Sequence, residues 1–295
     1  MKKFEFTGET KTLFDGTVLH RIKALVRIES NAGNIKVGDI GGWIEKENNL
    51  SHDGIAWVFR NAEVYGNARV CGDARVYDDA RVCGNAKVYG NARVCGDARV
   101  CGNAEVYDNA WVYGDARVCG DARVCGNAEV CGNAEVCDDA IVCGNARVCG
   151  NAEVYGKAWV CGDARVYDDA RVYDDARVCD DAIVCGNARV YDDARVCGNA
   201  KVYGNARVCG NAEVFRMEHY LVMGPIGSRN AFTTFFRTKE RNIKVVCRCF
   251  FGTIDEFLAK VKQTHGDSKH AKVYRAAVEV ALAQLEDVER RNGDG

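Results

Sequence analysis

Residues 62 to 79 read Ala62-Glu63-Val64-Tyr65-Gly66-Asn67-Ala68-Arg69-Val70-Cys71-Gly72-Asp73-Ala74-Arg75-Val76-Tyr77-Asp78-Asp79, and the same six-residue phrase continues on both sides. An alanine recurs at every sixth position from Ala56 to Ala212, twenty-seven in phase, and a valine stands two residues after each. The unit is Ala-x-Val-(Tyr/Cys)-(Gly/Asp)-(Asn/Asp). Side chains of an extended chain alternate between faces, so Ala and Val point one way and x and Tyr/Cys the other. Gly or Asp followed by Asn or Asp tolerates the positive φ of a tight corner. Alternating hairpins would reverse successive units and destroy the common phase. A coil of three hexapeptides keeps it: each residue then lies over its equivalent eighteen positions on, and parallel ladders join the coils. Twenty-seven units predict an all-β solenoid of about nine triangular coils around a column of Val and Ala.

The segment Val64 to Arg69 resembles the hexapeptide of left-handed β-helix proteins, in which an aliphatic residue and a small residue four later point inward. The resemblance implies a left-handed parallel β-helix, against the usual right-handed crossover. Gly38-Asp39-Ile40-Gly41-Gly42-Trp43-Ile44-Glu45, followed by Asn49-Leu50-Ser51, resembles the lead-in to the β-helix of YdcK-type bacterial and phage hexapeptide-repeat proteins. That likeness covers residues 18 to 217, speaks to fold and not to activity, and implies a phage or mobile-element protein. Left-handed β-helix relatives are often trimers, so it also implies a homotrimer.

An open solenoid exposes a raw edge and an uncovered apolar column, so caps are expected at both ends. Residues 1 to 55 read as an N-terminal β cap, with an Asp15-Gly16 hairpin turn and an extended pattern over Leu19 to Ile28. Residues 56 to 217 are the β-helix. Residues 218 to 295 read as a small α+β domain with strands near 219–224, 231–238 and 242–250. Ile254, Phe257, Leu258 and Val261 lie at helical spacing, with Thr253 and Glu256 in a capping-box pattern and Gly266 after the helix. A second helix near 269 to 289 is predicted to carry Val273, Ala277, Val280, Ala281 and Val288 on one side.

The net charge is −2, so no global field draws the chain to nucleic acid or a membrane. No eighteen apolar residues run together, and the sequence reads as soluble and cytoplasmic. Fifteen of the 17 cysteines recur at repeat positions without the spacing of a secreted disulfide scaffold, which predicts free thiols.

Five histidines, His20, His52, His219, His265 and His270, lie outside the repeats. A hexapeptide acyltransferase resembles its relatives in placing a general-base histidine beside the coils and an inserted loop at the donor cleft, and the repeats hold neither. Three histidines converging on zinc, as in a γ-type carbonic anhydrase, are also absent. Outward cysteine columns such as Cys83-Cys101-Cys119-Cys137 suggest soft-metal binding. A straight ladder offers pairs and not a tetrahedral cage, so no metal and no cofactor are expected. Columns Arg81-Arg99-Arg117 and Arg171-Arg189-Arg207, beside tyrosines, could grip nucleic acid. Corner carboxylates such as Asp78, Asp79, Asp168, Asp169, Asp174 and Asp175 favour a neutralised charge lattice instead.

Bulk at outward positions marks Trp57, Trp111, Ile141, Trp159 and Ile183, with Ile141 and Trp159 eighteen apart. Trp111, Ile141, Trp159 and Ile183 are candidates for a subunit contact. In the tail, Gly224 to Asn230 reads as a flexible loop. Gly227, Ser228, Arg229 and Asn230, with Arg237 and Arg248, could cradle a phosphate or nucleotide, although a simple Gly-rich turn, which needs no ligand, is the commoner explanation. Cys247 and Cys249 read as core. The expectation is a non-enzymatic structural or interaction protein, a solenoid rod displaying terminal domains. It has no catalytic residues and no membrane partner, and it forms a homo-oligomer, a trimer being favoured. The alternative is a protein that binds or sequesters a small anionic, nucleotide-like ligand, and hexapeptide acyltransferase stands third.

Overall fold

Each hexapeptide contributes two extended residues and a corner, and its inward pair disappears from solvent. Every repeat Ala and Val from Ala56 to Val214 is 0% exposed. The computed structural model describes residues 1–29 and 34–286 and divides the chain into two compact units, Met1–Gly162 and Asp163–Gly295. At the corner the alanine N–H donates to the carbonyl three residues back, as from Ala80 to Tyr77 at 3.1 Å. The residue after Tyr or Cys takes positive φ, +68° at Gly66 and +58° at Asp108. Glycine serves there for a second reason: a Cβ on Gly66 would stand 2.9 Å from the carbonyl oxygen of Gly84 in the next coil.

In Met1–Gly162 three parallel ladders join residues eighteen apart. Arg69–Val70 pairs with Lys87–Val88, Arg75–Val76 with Arg93–Val94 and Arg81–Val82 with Arg99–Val100. Each fully buried Val is worth about 1.5–3 kcal/mol, and the Ala fits where a larger side chain would not. Coil pairing begins before the alanine phase does. Strands β1 (Phe4–Thr12), β2 (Val18–Ala24) and β3 (Ile40–Ile44) form an antiparallel sheet, and β3 continues in parallel onto Glu63–Val64. Leu50 bridges to Val70 in the same sense, so Ile44 and Leu50 act as two inward residues of an additional first coil. Close approach of β3 requires its glycines: a Cβ on Gly42 would lie 2.6 Å from Val58 Cγ1 and 2.7 Å from the Ala62 carbonyl oxygen.

β1 closes the open end. Trp57, expected on the outer surface, is 1% exposed because Phe4 packs edge-on against it with ring centroids 6.5 Å apart. Lys3 is buried with it, and its Nζ donates to the Ala56 carbonyl at 2.8 Å. Burial pushes the Lys3 pKa down to about 8.

In Asp163–Gly295 the remaining repeats make the same ladders, for example Arg189–Val190 with Arg207–Val208. A four-stranded antiparallel sheet follows, β4 (Tyr220–Ile226), β5 (Ala231–Arg237), β6 (Ile243–Cys247) and β7 (Phe250–Thr253), with helices α1 (Ile254–His265) and α2 (Lys269–Glu286). The expected strand at 242–250 is two strands, because Arg248 takes φ +54° and reverses the chain. Cys249 is consequently exposed and not core, while Cys247 is half-buried and accepts from the Thr233 hydroxyl. The α1 capping box forms as its sequence predicts. In α2 the inward face is Ala271, Tyr274, Ala277, Val278, Ala281 and Leu285; Val273 and Val280 are exposed, and Val288 lies outside the described residues. Aromatic Tyr274, which packs on Phe257, sets that rotation.

The tail covers the last coil. Thr238 bridges to Ala212, the Lys239 N–H donates to the Asn211 carbonyl at 3.0 Å, and the Tyr220 hydroxyl donates to the Lys201 carbonyl at 2.6 Å.

Candidate functional site

The outer surface of the repeats is built from columns, and each residue type plays a distinct part. Corner asparagines form amide ladders: Asn91 Nδ2 donates to Asn109 Oδ1 at 3.0 Å, and Asn109 in turn to Asn127 at 3.1 Å. Tyrosines stack, as do Tyr89 and Tyr107 with centroids 5.0 Å apart. Where Asp stands at the positive-φ corner with a glycine one coil on, its carboxylate accepts that glycine's N–H, Asp108 from Gly126 at 3.1 Å and Asp180 from Gly198 at 3.0 Å. These corner aspartates are therefore caps. Neutralisation of the cationic columns comes mostly from glutamates inside them, as in Lys87–Glu105, Arg117–Glu135 and Arg147–Glu129. Arg60–Asp78 at 2.9 Å joins two corner positions and involves no column arginine.

Free thiols are not general. Cys119–Cys137, Cys131–Cys149 and Cys179–Cys197 are disulfides; the eighteen-residue period permits them by bringing their Cα atoms to 4.6–4.7 Å, within bridging reach. The other eleven cysteines are not disulfide-bonded. Cys83 accepts from the Cys101 thiol, which holds its pKa down at about 6, and Cys161 does the same for Cys143.

The histidines stand in the caps. His52 Nδ1 accepts the Lys3 N–H at 3.1 Å and its Nε2 meets Glu47 at 2.7 Å. His20 stacks on Phe6. His219 Nδ1 accepts the Phe215 N–H at 3.3 Å, and burial lowers its pKa. His265 and His270 lie in the tail helices near Tyr274.

Of the candidate apolar contacts, Ile141 and Trp159 are ladder partners. Trp111 belongs to a different ladder, between Arg93 and Glu129, so it does not extend their patch. Ile183, in the second unit, lies between Arg165 and Lys201. Trp111 and Trp159 are 38% and 40% exposed, each indole N–H directed at a cysteine sulfur, Cys95 and Cys143.

The tail loop is shorter than expected: Gly224 to Ile226 belong to β4, and the turn is Gly227 to Asn230. Gly227 has φ +76°, and a Cβ there would collide with the Tyr274 hydroxyl. This turn and the Arg248 turn converge beside the last coils. Arg229, Asn230 and Arg248 line a cavity of about 410 Å³ with Asn187, Arg189, Asn205, Arg207 and Phe232. Arg207 Nη1 donates to the Arg248 carbonyl at 3.3 Å, and the Arg207 N–H to the Thr234 hydroxyl at 3.0 Å. Ser228, Arg229 and Arg248 also border a second cavity of about 370 Å³ with Phe250, Lys260, His265 and Tyr274. Burial pushes the Tyr274 pKa up to about 12. Arg237 is not part of either cavity; its Nε is spent on the Leu285 carbonyl at 2.8 Å. Arg189 and Arg207 were not among the site residues expected from sequence. The available signal was the Arg171-Arg189-Arg207 column, three arginines in register without an intervening glutamate.

The profile of the YdcK β-solenoid repeat matches the chain nine times, over residues lying between 68 and 114, 146 and 162, and 164 and 210. The chain carries YdcK-type β-solenoid repeats over these residues. The chain is similar in fold to the UDP-N-acetylglucosamine acyltransferase of Francisella novicida, with 16% identity, 77% of this chain and 88% of the other covered, and a TM-score of 0.50. A hexapeptide transferase family protein from Anaplasma phagocytophilum is 14% identical over 71% of this chain and 93% of its own, with a TM-score of 0.30. No curated protein is significantly similar. No helix among the described residues is long and apolar enough to cross a membrane.

Proposed function

We propose that this chain is a non-enzymatic structural or interaction protein, in which the solenoid carries capping domains and offers ligands or partners an ordered surface. The observation that carries this reading is the use made of the histidines. His52 and His219 have ring nitrogens engaged within the caps, and the repeats, filled inward by Ala and Val, contain no histidine to deprotonate an acyl acceptor. The fold likeness to an acyltransferase keeps acyl transfer as the competing activity. A steady-state assay with acetyl-CoA and amino-sugar acceptors decides between them: no turnover is expected, and turnover abolished by His219→Ala overturns the proposal.

The ladder pair Ile141 and Trp159 favours a homo-oligomer, with a trimer as the form proposed, since an exposed indole stacked beside an aliphatic side chain gives a self-complementary apolar patch. A second reading, binding of a small anion, is favoured by the convergence of Arg229 and Arg248 on Arg189 and Arg207.

A further inference from the structure

Four guanidinium groups around one cavity need a reason, because like charges gathered at a concave surface repel one another unless an anion enters. Arg189 and Arg207 come from consecutive coils, Arg229 from the β4–β5 turn and Arg248 from the β6–β7 turn. Among the described residues no carboxylate lines this cavity, although carboxylates pair with the basic columns elsewhere in the repeats. Asn187 and Asn205 add carboxamide donors on the same side. Two of the arginines are held in place by the backbone: Arg248 sits at positive φ in a tight turn, and its carbonyl accepts from Arg207.

We infer that this four-arginine cavity binds a small polyphosphate, a ligand with at least two linked phosphoryl groups. The inference rests on the anion-binding reading above and specifies it. Charge sets the minimum size: one phosphate carries about −1.5 to −2, which leaves roughly two of four guanidiniums uncompensated, whereas a diphosphate comes closer to balance. Spacing agrees, since Arg189 and Arg207 are ladder partners about one strand spacing of 4.8 Å apart, so that adjacent phosphoryl groups can each meet a guanidinium fork. A long nucleic acid strand fits less well. Continuing along the coils it would pass the exposed corner carboxylates of Asp169, Asp175, Asp181 and Asp193. Inorganic pyrophosphate and a nucleoside diphosphate share the required chemistry. They differ in whether a flat ring enters the adjacent cavity, which shares Arg229 and Arg248 and is lined by Phe250 and Tyr274.

Isothermal titration of the full chain with pyrophosphate, ADP, citrate and a single-stranded oligonucleotide, at low and at physiological salt, tests this. Pyrophosphate or ADP should bind, more weakly as salt rises. Arg189→Gln and Arg229→Gln should each weaken binding about 10- to 100-fold, and Arg229→Lys less, while Arg165→Gln on another ladder should leave it unchanged. ADP binding tighter than pyrophosphate, with the difference lost in Phe250→Ala, identifies a nucleotide; equal affinities identify the phosphates alone as the ligand, and both results support the inference. Citrate binding at these arginines without pyrophosphate binding overturns the polyphosphate class and leaves the anion reading standing. No binding of any small anion overturns both. An oligonucleotide whose affinity grows with length and exceeds that of ADP overturns the small-ligand inference in favour of a nucleic-acid track.

Discussion

At the residue scale, one side chain often decides whether a coil corner is comfortable. Asp108 holds φ +58°, a conformation that costs an L-residue about 1–2 kcal/mol, and its carboxylate recovers part of this by accepting the Gly126 N–H. Asp108→Ala keeps the strain and loses the cap, so it should destabilise by about 1–3 kcal/mol in urea unfolding, whereas Asp108→Gly relieves the strain and should cost less. Equal losses would remove the capping argument. Lys3 supplies a second test, through pH. Its folded pKa, about 8, lies below the ordinary 10.5, so between those values the unfolded chain binds more protons and stability contributed at this site rises with pH. Relative to Lys3→Met, the wild-type chain should therefore gain stability between pH 8 and pH 10, and parallel urea midpoints over that range would show that the buried ammonium is not desolvated. Neither effect was legible in the sequence. Asp looked like a counterion because its partner lies eighteen residues away, and Lys3 looked like a solvated terminal cation.

At the scale of strands and helices, the repeat ladders and α1 were legible because periodicity and capping are local signals. Alternation gave Ala and Val to the interior, and Thr253 with Glu256 marked where α1 starts. What stayed hidden depends on chain reversal or on a neighbour: the positive φ at Arg248 that splits a strand, Tyr274 setting the face of α2, and Phe4 covering Trp57. The candidate site was half legible for the same reason, since the tail loop announced itself through Gly227 and Arg229 but its partners Arg189 and Arg207 are ordinary members of a repeat. The cysteine columns make a prediction here. Peptide mapping after rapid native alkylation at neutral pH should recover the linkages 119–137, 131–149 and 179–197. Among the free thiols, Cys83 and Cys143, with depressed pKa values, should label ahead of Cys95 and Cys125, which burial pushes upward. Uniform labelling of all seventeen cysteines would contradict the three disulfides and the ordering of the thiols. The oligomer proposal is tested on the same surface: Trp159→Glu should lower the mass measured by light scattering, and Trp111→Glu, on a different ladder, should not.

At the scale of the whole molecule, stability is a sum over coils and their neighbours, because each coil touches chiefly the ones eighteen residues away. Removing residues 116 to 133 joins Asp115 to Ala134 and preserves the Ala-x-Val phase, so the chain should fold with one coil fewer and lose about one coil's share of its unfolding free energy. Removing 116 to 121 also preserves the six-residue phase and should fold, although residues then lie over the neighbouring side of the triangle. Removing 116 to 119 shifts the phase by four, puts the Gly/Asp corner position and Ala in the inward places of Ala and Val and moves Val into the corner, and should abolish the cooperative transition followed by circular dichroism. The eighteen-residue deletion carries a chemical signature as well. It removes Cys119, Cys125 and Cys131, brings Cys101 into the place under Cys137, and sets Tyr113 under Cys149. Peptide mapping should then find a Cys101–Cys137 disulfide and a free Cys149. A folded deletion protein in which Cys137 is cross-linked to a cysteine other than Cys101 would show that the coils do not re-register by eighteen, and the three-sided solenoid would have to be abandoned.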